Sequence, residues 1–292
     1  QRFGVSRGAH RAAAACQRRI LRRLLVRLPR TALGDQIKVP RPNGPVGAIE
    51  DLILEIELYK RISAFGGHIN IARAFGAGFH LQQGQRVPFL VLELVQGGTL
   101  EKALDRNRPS QGNTWSSDPY PRLPLALEIA EALALLHNEA VPGWSVLYRD
   151  LKPANIGLCE KGHVKVLDLG LSVVRENRGA PTDRYEMSGM AGSKRIMAPE
   201  VCNAIPYNEK VDVYSFSIVV WELCALQKPF AGMNAADHFR EVVQGGQRPP
   251  LDPAWPAELR DLLEAYWDED PDARPSIAEA RERLRAMILR GC

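Results

Sequence analysis

Apolar residues recur along this chain with two periods, and the places where the period changes divide it into elements. From Ala48 to Ile62 the positions Ile49, Leu52, Ile53, Ile56 and Ile62 share one helical face, which predicts an amphipathic helix. Two mostly apolar runs, Ile71 to Phe79 and Val87 to Leu94, flank the polar turn Gln82-Gln83-Gly84-Gln85 and predict paired strands. Gln36-Ile37-Lys38-Val39 reads as an earlier strand, and Val164, Val166 and Leu167 as a short later one. Leu123 to His137 is apolar at helical spacing. From Val211 onward the stripe Val213, Phe216, Val219, Val220 and Leu223 predicts a core helix, with Pro249-Pro250 and Pro253 marking loops. Asp105 to Pro119 is polar and broken by proline, which predicts an exposed insertion between two helices.

Residues 1–34 follow another pattern. Arg18, Arg19, Arg22, Arg23 and Arg27 interleave with Ile20, Leu21, Leu24, Leu25 and Leu28, compatible with a helix that has a basic face. Three readings stay open: a degenerate or wrongly assigned start, an Arg-rich targeting segment, or a basic helix for membranes or acidic partners. The first residue is Gln rather than Met, as in a fragment, a processed product or an incomplete gene.

Composition narrows the classes. A chain of 292 residues, 45% hydrophobic, suits one two-lobed catalytic domain or two small domains. The net charge of +4 is too small to call for nucleic acid, and with the nine arginines of the first segment set aside it leaves −5 on the rest. The five cysteines are odd in number and form no C-x-x-C pair, which points to a reduced, cytoplasmic setting. No run reaches the length of a membrane span, and no signal peptide is visible.

Candidate chemistry centres on Leu147-Tyr148-Arg149-Asp150-Leu151-Lys152-Pro153-Ala154-Asn155, where a carboxylate, an ammonium and an amide stand close together. Then come Asp168-Leu169-Gly170, Met197-Ala198-Pro199-Glu200, Asp212-Val213-Tyr214-Ser215-Phe216 and Asp270-Pro271-Asp272-Ala273-Arg274-Pro275. In this order the five motifs resemble those of eukaryotic protein kinases over about residues 35–288. Lys152 to Gly157 also looks like the tyrosine-kinase-like group of Ser/Thr kinases.

The resemblance implies an α+β, two-lobed kinase fold, with a small antiparallel-sheet N-lobe over about 35–95 and a larger helical C-lobe over about 96–288. It implies transfer of the γ-phosphate of ATP, with Mg2+, to protein Ser/Thr hydroxyls. Asp150 would orient the acceptor hydroxyl, Lys152 would neutralise the transferred phosphoryl, and Asn155 and Asp168 would hold the metal. Lys38 would grip the phosphates and Glu55 would pair with it, with Glu57 a solvated helix charge. Leu92 would be the gatekeeper, Glu93 and Val95 would bind adenine through their backbone, and Thr99 would reach the ribose. Arg274 would pair with Glu200, and Asp212 would hold the catalytic-loop backbone. An upstream kinase acting on the activation segment, most plausibly at Ser188, would work through Arg149.

Three departures accompany it. No glycine-rich phosphate hairpin is found: Gly4 and Gly8 have the wrong spacing and Gly34 stands alone. Gln36 replaces a small residue against adenine, and Gly157 replaces a larger apolar residue beneath it. A non-catalytic pseudokinase scaffold is therefore the alternative. A small-molecule phosphotransferase is disfavoured by Glu200, Asp212 and Arg274, which belong to the protein-substrate pattern.

Overall fold

The computed structural model describes residues 35–40, 47–82, 84–109, 115–176, 182–187 and 194–291. The Arg-rich segment, Ser188, Gly192 and Ser193 lie outside these residues. The chain divides into two compact units, one gathering residues to Ile56 with Ala74–Leu94 and the other Glu57–Arg73 with the chain from Val95 onward.

The first unit holds strands β1 (Asp35–Lys38), β2 (Ala74–Gln82) and β3 (Gln85–Glu93), antiparallel in the order β1-β3-β2. Its register sets Lys38 opposite Leu90 and Gln36 opposite Leu92. Helix α1 (Ala48–Ala64) carries Glu50 and Asp51 in its first turn and Arg61 in its last, each sign suited to the helix dipole. Its buried stripe runs through Leu52, Glu55, Ile56, Tyr59 and Ile62, while Ile49, expected on that face, is 38% exposed. The inward face thus begins one turn later than the apolar pattern suggests.

Strand β2 begins at Ala74 rather than Ile71. The three residues before Arg73 are drawn into the second unit, where Ala72 N donates to Val166 O (2.9 Å) and Val166 N to Asn70 O (2.7 Å). Backbone groups already paired there are not available to the sheet.

The second unit is mainly helical. It holds helices α2 (Leu100–Asn107), α3 (Leu123–Asn138), α4 (Pro199–Cys202), α5 (Lys210–Ala225), α6 (Ala235–His238), α7 (Ala257–Tyr266) and α8 (Ile277–Arg290), with α3 packed on α5 and α8, and α5 also on α7. Helix α5 is apolar nearly all round and correspondingly buried: Val213, Phe216, Val219, Val220 and Leu223 are each 0% exposed. Two small hairpin-like pairs carry the site, β4 (Trp144–Leu147) with β7 (Val173–Glu176) and β5 (Ile156–Leu158) with β6 (Val164–Val166). The expected insertion begins later than its polarity suggested. Helix α2 runs to Asn107, which is buried, and Arg108 is fastened to buried Glu222 at 2.7 Å.

Candidate active site

Strand β4 delivers the chain into the loop Tyr148–Asn155, whose backbone is pinned from below by a fully buried carboxylate. Asp212 Oδ2 accepts from Tyr148 N (2.7 Å) and stands 2.9 Å from His137 Nε2, and Oδ1 accepts from Arg149 N (2.7 Å). Arg149 is left-handed, with φ 69°. That conformation costs a non-glycine residue about 1–3 kcal/mol and persists only where neighbours impose it; the two charge-assisted bonds to Asp212 do so here. Tyr148 OH donates to Leu167 O, and burial raises its phenol well above the usual range, so it stays a neutral donor joining this loop to Asp168-Leu169-Gly170.

Asp150 has its two oxygens in different situations. Oδ2 accepts from Lys152 Nζ (2.7 Å) and Asn155 Nδ2 (2.8 Å), whereas Oδ1 is buried and accepts no hydrogen bond from the described residues. A buried carboxylate oxygen without a partner is costly, so the fold maintains an acceptor at this point for a donor that is not its own. Asn155 also donates from Nδ2 to Asp150 O (3.0 Å), which fixes its amide with Oδ1 as the remaining acceptor end. Leu167 N donates to Asn155 O (2.9 Å), closing the β5–β6 pair and setting Asp168 one residue beyond that bond. Asp168 is left-handed (φ 52°) and accepts Gly170 N at 3.0 Å, while Leu169 is buried as an apolar plug.

These residues fit magnesium. The ion takes oxygen ligands, typically one or two from protein with phosphates and water completing the set. Asn155 Oδ1 and the Asp168 carboxylate provide such a pair, and the described residues contain no denser cluster of acidic, His or Cys ligands that would suit a different metal.

In the first unit, Lys38 Nζ donates to both oxygens of Glu55, at 2.9 and 2.8 Å. Glu55 is 2% exposed and Lys38 half-buried, so the pair is formed in a partly desolvated place where its attraction is strong. Glu57, two residues on and so on the opposite side of the helix, only approaches Lys60 and Arg61 at 3.7 and 3.8 Å on the surface. Leu92 is buried opposite Gln36, and Glu93 ends the strand opposite Asp35.

Beyond Glu93 the chain turns through Gly98 (φ +80°), with Gly98 N donating to Val95 O at 3.4 Å. Gly97 N donates to Leu158 O, and Leu158 N to Gly98 O, both at 2.8 Å. Thr99 Oγ accepts Lys102 N at 3.4 Å and so caps α2. Gly157 has a plain steric reason: a Cβ there would lie 2.8 Å from Val95 Cγ1. The side chain missing from position 157 is replaced by that of Val95.

The activation segment ends on a buried bidentate pair, Arg274 Nη1 and Nη2 to Glu200 Oε1 and Oε2 at 2.7 and 3.1 Å. Tyr185 pairs with Tyr207 in both directions through the backbone (3.0 and 3.2 Å), and its hydroxyl donates to Glu176 O, which makes it a clamp. The Arg149 guanidinium lies 5.7 Å from the Tyr207 ring. His137 and Tyr207 carry no signal in the sequence beyond an apolar helix end and a loop aromatic.

Residues 36–284 match the family profile described as protein tyrosine and serine/threonine kinase. Among curated relatives, the chain is 34% identical over 242 residues to the serine/threonine-protein kinase VIK of Arabidopsis thaliana, covering 82% of this chain and 51% of that protein. It is 32% identical over 240 residues to the serine/threonine-protein kinase CTR1 of the same plant, covering 82% and 27%. With the serine/threonine/tyrosine-protein kinase HT1, also from Arabidopsis, it shares 34% identity over 189 residues, covering 65% and 44%. The chain thus spans about half or less of the length of these relatives. A profile match across most of the chain shows that it belongs to the protein tyrosine and serine/threonine kinase family.

Proposed function

We propose that this chain is an active serine/threonine protein kinase of the tyrosine-kinase-like group, with one kinase domain over about residues 35–288. The observation that carries the reading is the Asp150 carboxylate. Lys152 and Asn155 hold one oxygen, and the other is buried without a partner among the described residues. A substrate hydroxyl supplies the missing donor, and Asp150 orients it and takes its proton as the phosphoryl group is transferred.

Asn155 and Asp168 would hold magnesium, which when bound would neutralise phosphate charge. Lys38 binds phosphate oxygens, and the buried Glu55 keeps its ammonium in place. Lys152, hydrogen-bonded to Asp150, brings a cation to the reacting oxygens. Leu92, Glu93, Val95 and the turn to Thr99 line the nucleotide's base and sugar, and the Val95 side chain beside Gly157 fills the space that a larger residue would take. The scaffold alternative is not favoured, because the side chains needed for transfer are present and the Lys38–Glu55 pair is formed. Phosphate placed on the activation segment by an upstream kinase would be received near Arg149. Among the described residues no helix is long and apolar enough to cross a membrane.

The test compares wild type with Asp150→Asn and Asp168→Asn, using ATP, Mg2+ and a generic protein substrate. Asp150→Asn should lose about 10²–10⁴-fold in kcat with ATP affinity retained, and Asp168→Asn should lose metal-dependent nucleotide binding. Equal phosphorylation by wild type and Asp150→Asn would sink the reading. Phosphoamino-acid analysis of the product distinguishes Ser/Thr from Tyr.

A further inference from the structure

Beside Lys152 the second unit has a groove of about 480 Å³ whose charged lining residues are Lys152, Lys194, Arg195, Lys228, Glu101 and Glu222. The four cations outnumber the two carboxylates, and the carboxylates are weaker than the count implies. Glu222 is 5% exposed and already receives Arg108 Nη2 at 2.7 Å, so its charge is spent inside the fold. Glu101 is exposed on α2 and carries the remaining acidic charge. On the cationic side, Lys194 is exposed and has no acidic partner among the described residues. Arg195 is held by two main-chain carbonyls, Phe230 O at 3.3 Å and Met233 O at 3.2 Å, which fix its guanidinium without neutralising it. Lys228 is 54% exposed and reaches Asp105 at 3.5 Å, a carboxylate that Arg108 also engages at 2.9 Å. At the inner end Lys152 lies 2.7 Å from Asp150, so the positive groove leads directly from the catalytic carboxylate.

Lys194 and Arg195 also line a second cavity, of about 350 Å³, with Met197, Met233, Phe239 and Val243 as its apolar surface. His238 lines it too and is buried, 6% exposed. The two cavities therefore share one pair of cations, of which Arg195 is held in place. A cavity lined by both apolar side chains and cations suits an occupant with both kinds of group.

We propose that this groove selects protein substrates in which the acceptor hydroxyl is accompanied by an anionic side chain, carboxylate or phosphate, seated on Lys194 and Arg195, with an adjoining apolar residue in the second cavity. The inference rests on the kinase reading of Asp150 and names the substrate class of that site. A charge-assisted hydrogen bond to a fixed guanidinium is stronger than its neutral counterpart, and charge complementarity of this sort discriminates partners by sign. A basic peptide would meet the same cations and be repelled.

The experiment is a panel of peptides equal in length, each with one acceptor Ser, flanked by Asp/Glu, phosphoserine, Gln or Arg. Transfer from ATP is followed by kcat/KM and binding by fluorescence anisotropy, with the full chain and with Lys194→Gln/Arg195→Gln. The acidic and phosphorylated peptides should exceed the Gln peptide by about tenfold in both readouts, with the Arg peptide lowest. The double substitution should bring that ratio close to one. Phosphoserine ahead of Asp/Glu assigns the anion to a primed phosphate, and equality of the two assigns it to simple negative charge. Equal binding of all four peptides, or preference for Arg, overturns the proposal. Selective binding of acidic peptides with no transfer to any of them leaves the groove standing and removes the kinase reading, so the two failures are distinct.

Discussion

At the scale of single residues, two glycines beside the expected nucleotide-binding turn differ in what a side chain would strike. A Cβ on Gly97 would lie 2.4 Å from Leu158 O, a main-chain atom engaged in a hydrogen bond, whereas one on Gly157 meets only the Val95 side chain, at 2.8 Å. Backbone has no rotamer to escape into, so Gly97→Ala should destabilise by about 1–3 kcal/mol and Gly157→Ala by less. Thermal denaturation checks the order, and equal melting temperatures would refute it. Gly157→Leu should be rescued by Val95→Ala if one side chain replaces the other. A double-mutant cycle without coupling between the two positions would show that they do not share the space.

At the scale of elements, several long-range ties are made by arginines. Arg274 reaches both oxygens of Glu200, and its guanidinium stacks on Tyr214 at 5.1 Å with Arg248 on the same ring at 5.2 Å. Removing one partner would strand a buried charge, so Arg274→Leu should cost about 3–5 kcal/mol and lower Tm on the order of 10 °C. Melting like wild type would exclude a structural role for the pair. Arg122 satisfies the last turn of α5, donating to Leu223 O at 2.8 Å and Cys224 O at 3.1 Å. Helix α8 starts on a capping box in which Ser276 Oγ accepts from Glu279 N and the Glu279 side chain accepts from Ser276 N. Ser276→Ala should cost about 1 kcal/mol, read as a shift of the urea midpoint with unchanged slope.

For the whole molecule, the response to acid follows from two imidazoles, His68 half-buried and His238 buried. Burial lowers the pKa of His68 and of His238 below the ordinary 6.5, and Asn70 N donates to His68 Nδ1 at 3.1 Å, a bond that needs the unprotonated nitrogen. The unfolded chain then binds more protons than the folded one below about pH 6.5, so stability is full above that pH and declines as pH falls through it. Tm should drop as pH falls below about 6.5, with a shallower slope in His68→Gln. A flat profile, or one unchanged by that substitution, would contradict the assignment.

The catalytic loop, the Asp168 turn, the Glu200 and Arg274 motifs and the helices from Leu123 to Leu223 were legible in the linear pattern. Each depends on neighbours in sequence or on a period that burial imposes, and local chemistry is enough to specify it. Strand β2 was misplaced at its start because Asn70 and Ala72 bond to Val166, nearly a hundred residues on. Arg108 looked like part of a polar loop and is tied to Glu222, 114 positions away; His137 looked like a helix end and meets Asp212, 75 positions away. Gly157 read as the loss of a larger apolar side chain, and the Val95 side chain lies where its Cβ would be. The sequence by itself determined which chemical groups the protein owns and which stretches are helix or strand. Only the tertiary structure decided which charges neutralise one another inside the fold and which, like Lys194 and Arg195, have no acidic partner among the described residues, because that pairing is set by distances across the core that no local period encodes.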